Sequence, residues 1–229
     1  MSDVHLGLQA MDPEGREARF LAFLKAIPAE QTEALYMLGD IWDFWYEWKY
    51  VVPKGYLRIF AALQDLMDAG VNVYFCPGNH DVWAYGYFET LGIKVIRQPH
   101  FVTIGGKEFC VGHGDALGRT SLGYRILYTI FHSRVCQFLF SLLHPTIAMA
   151  IGHAWSRHNR LSRRGEYVWK GEGEPLADYC KDVLASRHVD YFVFGHLHTE
   201  VRHDLPSGAK LVILDSGIYR DNYFLFSSL

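Results

Sequence analysis

Two rhythms of apolar and polar positions alternate along this chain. DPEGREARFLAFLKAI sets Phe20, Leu21, Phe23, Leu24 and Ile27 at helical spacing. Asp12 stands where it can cap that helix, and Pro13 suits the first turn. YLRIFAALQDLMDAG predicts a second helix, stopped by Gly70. ALYMLGD, ending at Asp40, reads as a short buried strand, and VNVYFCPGNHD as another that runs into a loop. KVIRQ, HFVTI and KEFCVGHGD read as three further short strands, the last two joined at Gly105-Gly106 as a hairpin. A helix in PLADYCKDVLASRH, a strand in YFVFGHLH and a hairpin in TEVRHDLPSGAKLVILDSG complete the pattern. Strands alternating with helices predict an α/β fold whose sheet is covered on both faces.

Residues 116–175 break the rhythm. They look helical and contain no sheet strand, so they read as an insertion into a single domain spanning 1–229. Eight basic residues stand there against three acidic ones, a surplus of five positive charges, which leaves −8 on the rest of the chain to reach the total of −3.

Composition narrows the class. The 229 residues are 50% hydrophobic, which suits one soluble globular domain with a sizeable core. The mild negative charge gives no sign of nucleic-acid binding. Cys76, Cys110, Cys136 and Cys180 are scattered without a C-x-x-C, so buried thiols in a reducing compartment are expected rather than disulfides or a zinc knuckle. No signal peptide is visible, and the most apolar stretch, 126–155, is interrupted by His132, Arg134, His144 and Pro145, which makes it a poor membrane span.

The 12 histidines are the first specific clue. Five short motifs place polar groups just after apolar strands: SDVH (2–5), GD (39–40), GNHD (78–81), GHGD (112–115) and GHLH (195–198). In an α/β sheet such positions converge where the strands end. Any one motif alone is more often a turn or a strand end; five in order are not. The inventory is Asp3, His5, Asp40, Asn79, His113, His196 and His198. Mixed carboxylate, imidazole and amide ligands suit Mn, Fe or Zn. Seven are too many for one ion and fit two ions sharing a carboxylate, roughly 3.5–4 Å apart.

These motifs resemble those of the calcineurin-like metallophosphoesterases over nearly the whole chain. The resemblance implies a sandwich of mixed β-sheets flanked by helices. It implies that Asp3, His5, Asp40 and His198 bind one ion, and that Asp40, Asn79, His113 and His196 bind the other, with Asp40 bridging. It also implies that His80, buttressed by Asp81, stabilises the transition state or protonates the leaving oxygen.

The substrate must be set elsewhere. GDIWDFWYEWKYVVPKG packs Trp42, Phe44, Trp45, Tyr46, Trp48 and Tyr50 beside Asp40, as a core plug, as the wall of an apolar pocket, or as both. Ser156, Asn159, Arg160 and Arg163 follow helical spacing and share one face, suited to phosphate or nucleotide. The adjoining apolar stretch favours an amphiphilic substrate or an interfacial lid. In SDVHLG, GNHDVWAYGYFE, GHGDALG, FHSRVCQFLFSLLHP and the aromatic segment, the chain resembles the UDP-2,3-diacylglucosamine pyrophosphohydrolases of lipid A biosynthesis, Bacteroidetes-type members especially.

That resemblance implies hydrolysis of UDP-2,3-diacylglucosamine to UMP and 2,3-diacylglucosamine 1-phosphate, usually with Mn²⁺. A helical lid would cover the acyl chains at the cytoplasmic face of the inner membrane, with no protein partner inferred. Asp115, Tyr124, Ser156, Asn159, Arg160 and Arg163 are then candidate substrate contacts. Proteobacterial members carry Arg where this chain has His80, which keeps a phosphodiesterase of broader substrate range as an alternative; a non-catalytic scaffold is a third reading. Members also carry an apolar strand before Asp-x-His, where this chain has only Met1-Ser2. The expectation is therefore a start upstream of Met1, and a weakened Asp3/His5 position without that strand.

Overall fold

The computed structural model describes residues 1–10, 12–162, 167–218 and 222–227, with the side chains of 159–162 left aside. Strands β1 (Ala34–Met37), β2 (Asn72–Phe75) and β3 (Lys94–Val95) pair in parallel in that order. Strands β4 (His100–Ile104), β5 (Lys107–Val111), β6 (Tyr191–Phe194), β7 (Val201–Asp204) and β8 (Lys210–Ile213) form a second sheet of order β4-β5-β6-β8-β7. Its centre is parallel and both edges are antiparallel hairpins, as the turn residues predict.

Period-two alternation stacks the layers. On β1 and β2, Leu35, Met37, Val73 and Phe75 face helices α1 (Pro13–Ala26) and α2 (Leu57–Asp68). Tyr36 and Tyr74 point the other way and stack at 4.5 Å against the inter-sheet core. The second sheet repeats this arrangement. Phe192, Phe194, Leu211 and Ile213 pack with α7 (Pro175–Leu184), while Val193 and Val212 face the first sheet. Asp12 caps α1 by accepting from the Gly15 N–H at 3.0 Å, and Ile59, Ala62, Leu63 and Leu66 give α2 its buried face. The short helix α3 (Tyr87–Thr90) has no signal in the periodicity.

Between β5 and β6 lie α4 (Leu122–His132), α5 (Arg134–Ser141) and α6 (Pro145–Ser162), with no strand among the described residues. No residue of α4 or α5 is fully buried. The group rests on the aromatics of the segment after Asp40. Trp42 and Trp45 are core residues, Phe44 and Tyr46 form a platform with Trp83, and Tyr50 is exposed. The Trp83 indole N–H donates to the Phe131 carbonyl at 2.9 Å, and the Tyr46 hydroxyl donates to that of Gln137 at 2.7 Å. All four cysteines are free, three of them buried.

Candidate metal centre

The site is built on loops at the strand ends. Residues 1–6 run beside the continuation of β1. The Leu38 N–H donates to Met1 O, Asp3 N–H to Gly39 O, His5 N–H to Asp40 O and Leu6 N–H to Ile41 O, at 2.7–3.0 Å. Asp3 and His5 thus have a floor in this chain, with Met1, Val4 and Leu6 buried beneath them. The run is not a regular strand, because Asp3 and His5 have φ of 56° and 52°. Asp40, His196 and His198 share this left-handed conformation, with φ of 52°, 70° and 54°. β1 accordingly ends at Met37, short of the expected Asp40. The conformation costs a non-glycine residue about 1–3 kcal/mol, and five instances gather where strands of the two sheets end.

Four side chains converge first. Ligand atoms of Asp3, His5, Asp40 and His198 lie within 4.8 Å of one another. His5 Nε2 is 3.4 Å from His198 Nε2 and 3.8 Å from both Asp3 Oδ1 and Asp40 Oδ2. His198 Nε2 is 3.1 Å from Asp3 Oδ1. The other Asp3 oxygen accepts the His196 N–H at 3.0 Å, which fixes the carboxylate. A Cβ at Gly195 would fall onto that oxygen, so the loop requires glycine there.

A second group shares Asp40. His113 donates Nδ1–H to the Leu38 carbonyl at 3.0 Å, which turns Nε2 toward Asp40 Oδ2 at 3.4 Å and Asn79 Oδ1 at 3.3 Å. The His196 ring stands edge-on to His113 with centroids 5.1 Å apart. Asp40 Oδ1 accepts the His80 N–H at 2.9 Å, so Oδ2 alone faces both groups.

His80 lies at the mouth. Its Nδ1–H donates to the Asp43 carbonyl at 2.8 Å, and Nε2 lies 3.9 Å from Asp40 Oδ2. This corrects the expected role of Asp81. The Asp81 carboxylate is fully buried and accepts backbone N–H groups of Gly78, Asp40, Ile41 and Trp42 at 2.7–3.2 Å. It ties the two loops together, and the ring of His80 is oriented by Asp43 instead.

The field is that of a cation site. Burial opposes ionisation of Asp3 and Asp40, yet His198, His5 and His113 around the first hold it well below the usual carboxylate range, and His113, His80 and His5 do the same for the second. Burial lowers His113, but Asp40 and then Asp3 outweigh it and raise the imidazole well above its ordinary value. Burial, then the charge of His113, push His196 down to about 4. No single proton can serve lone pairs that converge from four residues. Two ligands about 2.1 Å from one tetrahedral ion stand roughly 3.4 Å apart, the spacing of the His5 and His198 nitrogens. The oxygen and nitrogen donor set, without thiolate, fits a divalent ion of the Mn, Fe or Zn kind.

A cavity of about 1530 Å³ opens over these groups. Asp40, Asn79, His80, His196 and His198 line it at the polar end, and Phe44, Trp83, Phe131, Phe140, Ile151 and Trp155 supply an apolar wall. Asp115, Tyr124 and Ser156 also line it, engaged within the protein. The Tyr124 hydroxyl donates to Asp115 Oδ2 at 3.0 Å, Gln98 donates to Asp115 Oδ1 at 2.6 Å, and the Ser156 hydroxyl donates to Asp43 Oδ1 at 2.6 Å. Arg163 and the side chains of Asn159 and Arg160 lie outside the described residues.

Two contributors lie outside the set of site residues inferred from the sequence. Buried Arg16 donates to the carbonyls of His5, Leu8 and Ala10 and shapes the loop after His5. Asp43 touches His5, His80, His153 and Ser156. Its mark in the sequence is the second carboxylate of GDIWD, three residues after Asp40.

A two-sheet α/β sandwich carrying such a carboxylate–imidazole cluster at its strand ends is the architecture of a metal-dependent hydrolase. The family model for calcineurin-like phosphoesterases matches residues 1–200, and the chain belongs to that family. It is 33% identical over 241 aligned positions to a UDP-2,3-diacylglucosamine hydrolase of Porphyromonas gingivalis, covering 97% of this chain and 90% of that protein. It is 28% identical over 211 positions to a protein of the same name from Klebsiella pneumoniae (92% and 85% covered). With that of Photorhabdus laumondii it shares 28% over 200 positions (85% and 80%). No helix among the described residues is long and apolar enough to cross a membrane.

Proposed function

We propose that the protein hydrolyses the pyrophosphate bond of UDP-2,3-diacylglucosamine, giving UMP and 2,3-diacylglucosamine 1-phosphate. The observation that carries this reading is one cavity joining the polar cluster to an aromatic wall. A diphosphate ester bearing acyl chains needs both ends, and relatives at 28–33% identity bear that substrate in their names.

In this reading Asp3, His5, Asp40 and His198 hold one divalent ion, and Asp40, Asn79, His113 and His196 the other, Mn²⁺ being the ion we expect. When bound, the pair supplies Lewis acidity and an acidified water. His80 does the rest of the acid work. With Nδ1–H committed to the Asp43 carbonyl, its Nε2 faces the cleft and can carry a proton toward the departing oxygen. Residues 116–175 act as a helical lid inserted within a single domain, and the platform of Phe44, Trp83 and Phe140 receives the acyl chains and excludes water. Asp115, Tyr124 and Ser156 orient the headgroup from the wall, with Asn159, Arg160 and Arg163 following them along the same segment. The protein works as a peripheral enzyme on the cytoplasmic face of the inner membrane.

The test is UMP release from UDP-2,3-diacylglucosamine with Mn²⁺, read by mass, beside the deacylated UDP-sugar. UMP from the acylated substrate alone is the expected result. Equal turnover of both would replace this reading with a broad phosphodiesterase, and turnover of neither would refute the substrate.

A further inference from the structure

We propose that Asp43 is a positioning residue that couples the seating of α6 to the orientation of the imidazole of His5. The proposal rests on the reading of His5 as a metal ligand. Asp43 is fully buried in an apolar loop, where a carboxylate is costly unless its oxygens are engaged. Its Oδ1 lies 3.5 Å from His5 Nδ1 and accepts the Ser156 hydroxyl at 2.6 Å. Its Oδ2 lies 3.5 Å from His153 Nδ1, and its backbone carbonyl takes the His80 Nδ1–H. One residue of the β1 loop therefore touches two imidazoles of the site and two side chains of α6.

The chemistry gives this arrangement a direction. An imidazole that ligates through Nε2 carries its proton on Nδ1, and an acceptor beside Nδ1 fixes both tautomer and ring rotation. Asp43 Oδ1, 3.5 Å from His5 Nδ1, is the carboxylate oxygen placed to act as that acceptor, and the same oxygen is held in place by Ser156. Among the described residues of α6, only Ala148, Gly152 and Ser156 are buried, one turn apart on a single face. A Cβ at Gly152 would penetrate the Phe44 ring, so this face lies directly on the core. Ser156 ends that face at the carboxylate. Lifting α6 frees Asp43 Oδ1 and loosens His5. By linkage, an ion that tightens His5 must tighten the seat of α6 by the same factor.

The test is Mn²⁺ titration by calorimetry into the full-length protein, Ser156→Ala and Asp43→Asn, with the melting temperature of each metal-free protein as the check on folding. Hydrogen exchange of amides in 148–158 is measured with and without Mn²⁺. Outer partners of ligating histidines typically change affinity about 10–100-fold. Asp43→Asn should weaken one of two ions by about that factor, and Ser156→Ala, which keeps the carboxylate, by about 3–10-fold. Mn²⁺ should slow exchange in α6 of the wild type and lose that effect in Ser156→Ala. Unchanged affinity in both variants, or α6 exchange indifferent to Mn²⁺ in a wild type that binds it, would overturn the coupling. A wild type that binds no Mn²⁺ would instead overturn the metal reading beneath it.

Discussion

At the scale of single residues, two neighbours in GNHD do different work. His80 turns its Nε2 toward the cleft, whereas Asp81 turns inward to four backbone N–H groups. His80→Ala should therefore lower kcat by about 10²–10⁴-fold while Mn²⁺ affinity, measured by calorimetry, stays within a few-fold of wild type. Asp81→Ala leaves four buried donors without an acceptor and should cost roughly 3 kcal/mol or more of stability, read by urea denaturation. If instead both variants fold equally well and both lose only turnover, the division of roles is wrong. Five candidates, Asp40, Asn79, His113, His196 and His198, stood out in the sequence because each follows a strand and a glycine lets its backbone turn, whereas Asp3 and His5 stood out by the D-x-H spacing alone. It did not reveal Asp81 as a tie between loops or Asp43 as the partner of His80. Both act on or through backbone atoms, and a backbone N–H or carbonyl leaves no pattern in residue identity.

At the scale of elements, the periodic segments were the readable ones. α1 and α2 carry apolar stripes, and the central strands alternate between two cores. The strand read from KVIRQ shortens to Lys94–Val95, and α3, with four residues, is too short for any period to register. The helices between β5 and β6 were legible as helices, but their seating was not, since it depends on Gly152 meeting Phe44 across the fold. Gly152→Val should push α6 off its platform at an overpacking cost of about 1–3 kcal/mol. It should appear as faster exchange of α6 amides and a raised KM for the acylated substrate; unaltered exchange would mean that the helix is seated elsewhere. The thiols report on the same elements. Burial pushes Cys76 and Cys110 up to about 12 and Cys180 higher still, so thiolate is scarce at pH 8. Half-buried Cys136 lines the cavity. A disulfide reagent should modify one thiol per native chain and four in denaturant. Labelling of more than one in the native protein would contradict the packing of α7 against β5.

At the scale of the whole molecule, charge and apolar surface are segregated together. Residues 116–175 hold a surplus of five positive charges on a chain of net −3. The same segment exposes Leu122, Val135, Phe138 and Leu142, each more than 60% accessible, beside exposed Arg125 and Arg134. An amphiphilic substrate resides in a bilayer, so the element that would receive its acyl chains is also the one suited to meet the lipid surface. Each arginine near an anionic surface contributes about 1 kcal/mol, within a Debye length of about 8 Å at physiological salt. Each large apolar side chain inserted adds about 1.5–3 kcal/mol. Binding should therefore need both terms. Sedimentation with vesicles should show stronger partition onto anionic than onto zwitterionic lipid, with a loss of about 10-fold or more on raising salt to about 0.5 M, where screening shortens to a few ångströms. Phe138→Asp with Leu142→Asp should weaken binding further at low salt while leaving the melting temperature nearly unchanged, because neither side chain is buried. Equal partition onto both lipids, insensitive to salt and to these substitutions, would detach the membrane role from this face and leave the exposed residues to a different partner.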